Sequence, residues 1–295
     1  MASGTTSTPR SPLSKAKYGG QLVWWFLRNP IENSLALRER RVGRRSGWQA
    51  GTAYPAEADW ERQLHTVWGA AWPCAEHKTF DEIWSSAVAE LERQGLVVGR
   101  EAFGGWDDGD RALARAAWCI VRHTAPERIV ETGVGRGLTT RTILEALKLE
   151  GRGHLWSVDR PPPLSPSLKR QTGAAVPEEL RSYWTYVHGS SRRRLPKIVA
   201  DIERVDLFVH DSMHTTRNVE FELDCVWPAL RSGGVALVDD IDMNLAFSRF
   251  TERHREVRHV IALSDDGQRR FGLIAKTEAH GAAGDSLGSP TENPA

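Results

Sequence analysis

From residue 127 to residue 276 the chain alternates short apolar runs with segments of helical periodicity, and no other feature restricts its fold as strongly. Buried strands that follow one another through helices lie parallel, because each crossover helix carries the chain back over a face of the sheet. The runs RIVET (128–132), HLWSVD (154–159), WTYVH (184–188), VDLFVH (205–210) and GVALVD (234–239) read as five such strands. Helices are expected at 138–149, 177–183, 191–200, 216–230 and 243–254. Two more strands, near 257–263 and 270–275, are joined by SDDGQRR, whose Asp266-Gly267 pair is a hairpin signal. An otherwise parallel α/β sheet therefore ends in an antiparallel hairpin.

The flanking sequence divides the rest. A basic arm covers 1–55, with the cluster RERRVGRR from Arg38 to Arg45; a helical extension covers 56–109, the sheet domain 110–276, and a Gly, Ala, Ser and Pro-rich tail 277–295. The arm's first 20 residues and the tail are expected to be disordered. In the extension, TFDEIWSSAVAELERQG begins with Thr79 and Glu82 at capping-box spacing and puts Ile83, Trp84, Ala87, Val88 and Leu91 on one face, with Gly95 as a stop. Trp60, Trp68 and Trp72 fall at helical spacing in a further segment, and a helix from Asp110 to His123 packs Leu113, Ala116, Ala117, Ile120 and Val121.

Length and composition bound the class. With 295 residues, 40% hydrophobic and 26% charged, the chain can bury a sizeable core and is neither collagen-like nor a disulfide scaffold. A net charge of +1 gives no overall pull toward nucleic acid or anionic lipid. No apolar run approaches the length of a membrane span, and no secretory signal is evident, so a cytoplasmic protein is expected. Cys74, Cys119 and Cys225 are an odd number without close spacing and without a Cys/His cluster in sequence, which argues against a disulfide framework or a structural zinc site.

Chemistry enters at the first strand. RIVETGVGRGLTTRTILEAL runs from a strand through Gly133, Gly135 and Gly137 into a helix, where positive φ and free helix-start amides suit an anionic group. The same glycines also serve a purely structural turn. Glu131 stands two positions before the first glycine, and Asp159, 28 residues after Glu131, ends the neighbouring strand where a carboxylate can accept ribose hydroxyl protons. The third strand ends HGSSR, small enough to leave room for an adenine ring.

Over residues 110–276 this arrangement resembles the class I S-adenosylmethionine-dependent methyltransferases, a Rossmann-like α/β family. The resemblance implies a seven-stranded sheet in the order 3-2-1-4-5-7-6 with strand seven antiparallel, in agreement with the hairpin read independently. It implies that Glu131, Gly133 and Gly135, with the Gly137 turn, hold the methionine part of the cofactor, Thr139 its carboxylate, Asp159 the ribose, and Ser191 with Arg192 the adenine.

Strand four ends VHDSMHT and strand five LVDDIDMN, so neighbouring strand mouths about 5 Å apart carry Asp211, Asp239 and Asp240. Uncompensated, three converging carboxylates repel one another, and a bound cation relieves them; oxygen ligands point to Mg²⁺ first, with Mn²⁺ or Ca²⁺ as alternatives. DDID also reads as a cap for the helix beginning near Met243. The carboxylates are similar to those of metal-dependent O-methyltransferases, of the catechol type and of the type related to macrocin O-methyltransferase and the cephalosporin hydroxylase-like proteins. The chain departs from the catechol pattern in having Asp240 where those enzymes have Asn and His214 where they have Lys, and it lacks an evident substrate-gating tryptophan region.

The expected activity is metal-assisted O-methylation of a small-molecule hydroxyl, in a sugar, catechol or natural product. Asp211 acts at the metal and His214 accepts the hydroxyl proton, an unperturbed imidazole titrating at about 6.5. The tryptophan-bearing extension supplies a lid or a contact between copies of the chain. The competing reading is a non-catalytic nucleotide-pocket protein that binds RNA or another anionic partner through the basic arm.

Overall fold

In a computed structural model the protein is described at residues 59–161 and 165–277, together with Pro30, Ser34, Tyr54 and Pro55. The basic cluster at 38–45, the first 20 residues, expected to be disordered, and the tail beyond Thr277 lie outside the described residues. Seven strands form one sheet: β1 (Arg128–Thr132), β2 (His154–Asp159), β3 (Trp184–His188), β4 (Val205–His210), β5 (Leu230–Val238), β6 (Arg258–Leu263) and β7 (Arg270–Ala275). Their order is β3-β2-β1-β4-β5-β7-β6, with β7 antiparallel to both of its neighbours and the other pairings parallel. The Rossmann-like sheet implied by the strand pattern is the sheet observed.

Helices cover both faces. On one lie α1 (Trp60–Val67), α2 (His77–Arg93), α3 (Arg111–Thr124) and α4 (Leu138–Glu150), after which a short α5 (Pro166–Gln171) precedes a 3₁₀ turn at Glu178–Tyr183. On the other lie α6 (Ser191–Ile202), α7 (Thr216–Val226) and α8 (Ala246–Arg253). Because both faces are covered, β4 is buried at every position and needs no polar alternation. Trp60, Leu64 and Phe80 of the extension share one core with Trp118 of α3 and with Ile129, Leu207 and Phe271 of the sheet. Truncating the fully buried Trp118 to Ala would cost about 3–5 kcal/mol. No helix among the described residues is long and apolar enough to cross a membrane.

Several local expectations are corrected. Thr79 does not cap α2, which begins at His77 after Glu76 and has no side-chain cap, so the threonine lies inside the first turn. Trp60, Trp68 and Trp72 do not form one helical stripe, because α1 stops at Val67; Trp60 packs edge-on against Phe271, while Trp72 lies beyond the helix on His65 and His77. Strand β5 starts at Leu230 rather than 234, with a register shift against β4 between Val205 and Leu207, and the helix expected to run to 230 ends at Val226. Asp242 does not cap the helix expected from Met243: its carboxylate accepts from the Arg270 amide at 3.0 Å, and α8 starts at Ala246, whose amide donates to Asn244 Oδ1 at 2.9 Å. The absence of a Cys/His cluster is also overturned in space, since His65, Cys74, Cys119 and His123 converge from α1, the loop before α2 and α3.

Candidate functional site

The turn between β1 and α4 holds Gly133, Gly135 and Gly137 at φ +88°, +51° and +87°, a region that side chains other than glycine's rarely adopt. Gly133 has a second constraint: a Cβ there would overlap the backbone carbonyl of Asp211, so the first glycine lets the turn sit against the end of β4. The Asp211 amide completes that junction by donating to the Thr132 carbonyl at 2.8 Å. Gly137 packs on Gly173 and Val176, and Gly135 is the glycine with room beside it, facing the Phe103 ring. Helix α4 opens without a side-chain cap, and the Thr139 hydroxyl, buried in its first turn, has no hydrogen-bond partner among the described residues. Free amides and an orphaned hydroxyl together form an anion receptor.

Two carboxylates frame this turn. Glu131 is buried, and its Oε2 accepts from Ser157 Oγ at 2.6 Å and Thr140 Oγ1 at 2.8 Å. Burial pushes its pKa up to about 7 against those donors. Asp159, at the tip of β2, is pushed up to about 6, again by burial, although the amides of Arg160, Gly135 and Val134 donate to it. It therefore touches the glycine turn directly. Ser191 and Arg192 begin α6 and engage α7: the serine hydroxyl bonds Glu222, and the Arg192 guanidinium lies over the Phe221 ring at 4.6 Å and donates to the Arg217 carbonyl.

At the mouths of β4 and β5, one donor atom each from Asp211, His214 and Asp239 come within 4.8 Å of one another, the spacing of a metal-binding group. Asp240, expected beside Asp211 and Asp239 as a third carboxylate ligand, lies outside this group, and His214 lies within it. Strand β5 ends at Val238, and Asp240 takes a left-handed conformation (φ +50°) that turns it toward Arg269, 3.9 Å away. His214 stands instead between the carboxylates, 3.8 Å from Asp211 and 3.7 Å from Asp240. Burial first, and then the charge of Asp240, raise Asp211 and Asp239 well above the usual carboxylate range. The expected near-neutral titration of His214 is not met: burial, followed by the neighbouring His210, lowers it to about 3. Its imidazole is neutral, and Nδ1 has no hydrogen-bond partner among the described residues.

Beneath the group lies a network that motif reading does not reach. Glu222 of α7 accepts from Thr132 Oγ1 at 2.5 Å, from Ser212 Oγ and Asn218 Nδ2 at 2.8 Å each, and meets His210 Nδ1 at 2.6 Å. Burial alone would raise Glu222, but His210 and the donors overrule it and hold the carboxyl at about 2. The available signal was the Asn218/Glu222 pair at i,i+4 on the same helix face as Val219 and Leu223. Arg136, inside the glycine turn, is likewise structural. It pairs with buried Asp108 at 2.7 Å and donates to the carbonyls of Val97 and Ala102, docking the loop that carries Phe103 and Trp106 onto the turn.

Comparison with known proteins agrees with this frame. Residues 130–241 match the family model described as a methyltransferase domain. No curated protein matches the chain. Among solved structures, cofactor-bound Rv0187 from MTB is similar at 15% identity and TM-score 0.50, over 77% of this chain and 100% of that one. The O-methyltransferase TomG from Streptomyces achromogenes, in complex with SAM, aligns at 15% identity and TM-score 0.48 over 66% and 90%. An O-methyltransferase from Bacillus cereus in complex with SAH aligns at 13% and 0.48 over 74% and 98%. The glycine turn between β1 and α4 and the strand order β3-β2-β1-β4-β5-β7-β6 agree with the match of residues 130–241, from β1 to the end of β5, to a methyltransferase domain.

Proposed function

We propose that the protein methylates a hydroxyl oxygen of a small molecule, using S-adenosylmethionine and a divalent ion held by Asp211, His214 and Asp239. The observation that carries this reading is the meeting of three ligand-competent groups beside a turn that already presents an anion receptor. When bound, the cofactor supplies an electrophilic methyl group on sulfur, and the ion lowers the pKa of a coordinated hydroxyl.

The chain's own residues do the rest. The α4 amides and the Thr139 hydroxyl receive the cofactor's carboxylate, and Asp159 accepts from the ribose. Glu131 lines the methionine end from behind, and Ser191 with Arg192 borders the adenine side. An imidazole among the donors shifts the preference from Mg²⁺, expected for oxygen ligands alone, toward Mn²⁺. The roles read from sequence then exchange: neutral His214 serves as ligand, and Asp240, standing outside the ligand group yet 3.7 Å from His214, is placed to receive the hydroxyl proton. Acceptors with vicinal oxygens, a sugar or a catechol, suit two-point binding at such an ion. Methyl transfer is then a matter of holding oxygen and sulfonium in line.

Calorimetric titration with S-adenosylhomocysteine, with and without Mn²⁺ or Mg²⁺, tests the cofactor and the ion together. The reading expects binding of the nucleoside and a metal response that Asp239→Ala removes while nucleoside binding persists. No binding of S-adenosylhomocysteine overturns the reading as a whole; full turnover on a diol or catechol acceptor in the presence of chelator overturns the role of the ion.

A further inference from the structure

We infer that His65, Cys74, Cys119 and His123 form a structural zinc site that clamps the helical extension to the methyltransferase domain. One donor atom from each of the four lies within 4.8 Å of the others, and Cys74 Sγ is 3.3 Å from His123 Nε2. In a tetrahedral site with Zn–S of about 2.3 Å and Zn–N of about 2.1 Å, neighbouring donors stand about 3.4–3.8 Å apart. The observed group needs only a small contraction to reach that geometry.

The protonation of His65 supplies an independent sign. Its ring is fully buried, and Nδ1 lies 2.6 Å from the Glu61 carbonyl oxygen, an acceptor that cannot donate. The proton is therefore on Nδ1, and Nε2 carries its lone pair into the cluster, where it has no hydrogen-bond partner among the described residues. A backbone carbonyl that fixes the tautomer and aims the opposite nitrogen is the usual support of a metal-bound histidine. Cys119 and His123, four residues apart on α3, share a helix face. Trp72 covers His65 from outside, with ring centroids 5.1 Å apart.

The donor chemistry selects the ion and its role. Two thiolates and two imidazoles in a buried pocket suit Zn²⁺ over Mg²⁺ or Ca²⁺, and the thiolates neutralise its charge. Four protein donors leave no open position for substrate. The site sits in the last turns of α3, whereas Asp110 at the start of that helix faces the Asp239 end of the sheet, roughly 15–20 Å away along a 14-residue helix. It is thus separate from the methyl-transfer site. His65 and Cys74 belong to the extension, Cys119 and His123 to the helix packed under the sheet, so the ion would join two parts that are otherwise held by packing and by ion pairs such as Glu76–Arg122 at 2.9 Å.

The test is metal analysis of the full chain, expressed with zinc and purified under reductant, followed by cobalt substitution. About one zinc per chain is expected, retained through mild chelation and released when the thiols are blocked. Cobalt should give a thiolate charge-transfer band and intense tetrahedral d–d bands that persist in Asp239→Ala and are lost or shifted in Cys74→Ser. If Cys74→Ser fails to fold, the wild-type cobalt spectrum decides. Removing the zinc should lower Tm by roughly 5–15 °C. Less than about a tenth of an equivalent of zinc together with no thiolate band would overturn the site, as would a Cys74–Cys119 disulfide in metal-free protein that is as stable as the protein purified with zinc.

Discussion

The carbonyl of Asp211 occupies the place where a side chain on Gly133 would have to go. One glycine thus sets the distance between the glycine turn and the Asp211 carboxylate, because turn and strand end are in backbone contact. Gly133→Ala combines that overlap with a φ of +88° and should cost about 3 kcal/mol or more. Thermal melting should show the loss, and surviving folded protein should have lost S-adenosylhomocysteine and metal binding together.

Thr139 separates stability from binding. Its hydroxyl is buried without a partner, so Thr139→Val removes an unsatisfied group and should leave Tm unchanged or slightly higher. The same substitution should weaken S-adenosylhomocysteine binding about 10-fold, near the contribution of one hydrogen bond to a charged group. A calorimetric titration beside a melting curve reads both.

Glu131 makes stability depend on pH. Its folded pKa of about 7 lies above the ordinary carboxyl value of about 4.3, so between those limits the folded chain keeps a proton that the unfolded chain has released. Stability of the ligand-free protein should therefore fall as pH rises from about 4.5 to about 7, by about 3 kcal/mol for this group, and level off above. Asp159, raised to about 6, adds to the fall with the same sign. Denaturant titrations across the window should show the slope reduced, not abolished, in Glu131→Gln.

Arg136 and Asp108 form an ion pair whose side chains are 5% and 1% exposed. Arg136→Met would leave Asp108 charged and unpaired and should cost about 3–5 kcal/mol. It would also free the loop at 97–108, so faster proteolysis there and weaker cofactor binding should accompany the fall in Tm. Asp108→Asn, which keeps an acceptor, should be milder on each measure.

Strand placement was legible in the sequence because most strands are short β-rich runs bounded by turn residues, and in the central β1 and β4 burial at nearly every position leaves no competing alternation. Gly133, Gly135, Gly137 and Asp159 were legible for a related reason: the turn and the acid lie at fixed offsets from those strands. Helix starts were less so. Thr79 and Asp242 have the composition of caps, but the chain direction at Glu76 and the Arg270 amide decided where each was used.

By itself, then, the order of apolar runs and glycines determined the sheet, its antiparallel end and the location of the glycine turn, because those depend on local periodicity and on backbone conformations that few residues tolerate. Tertiary structure alone decided that His214 rather than Asp240 joins Asp211 and Asp239, that Glu222 underlies them, and that His65 and Cys74 meet Cys119 and His123. Those groupings depend on side-chain direction at the ends of elements and on packing between segments far apart in the chain, and neither quantity is written in residue spacing.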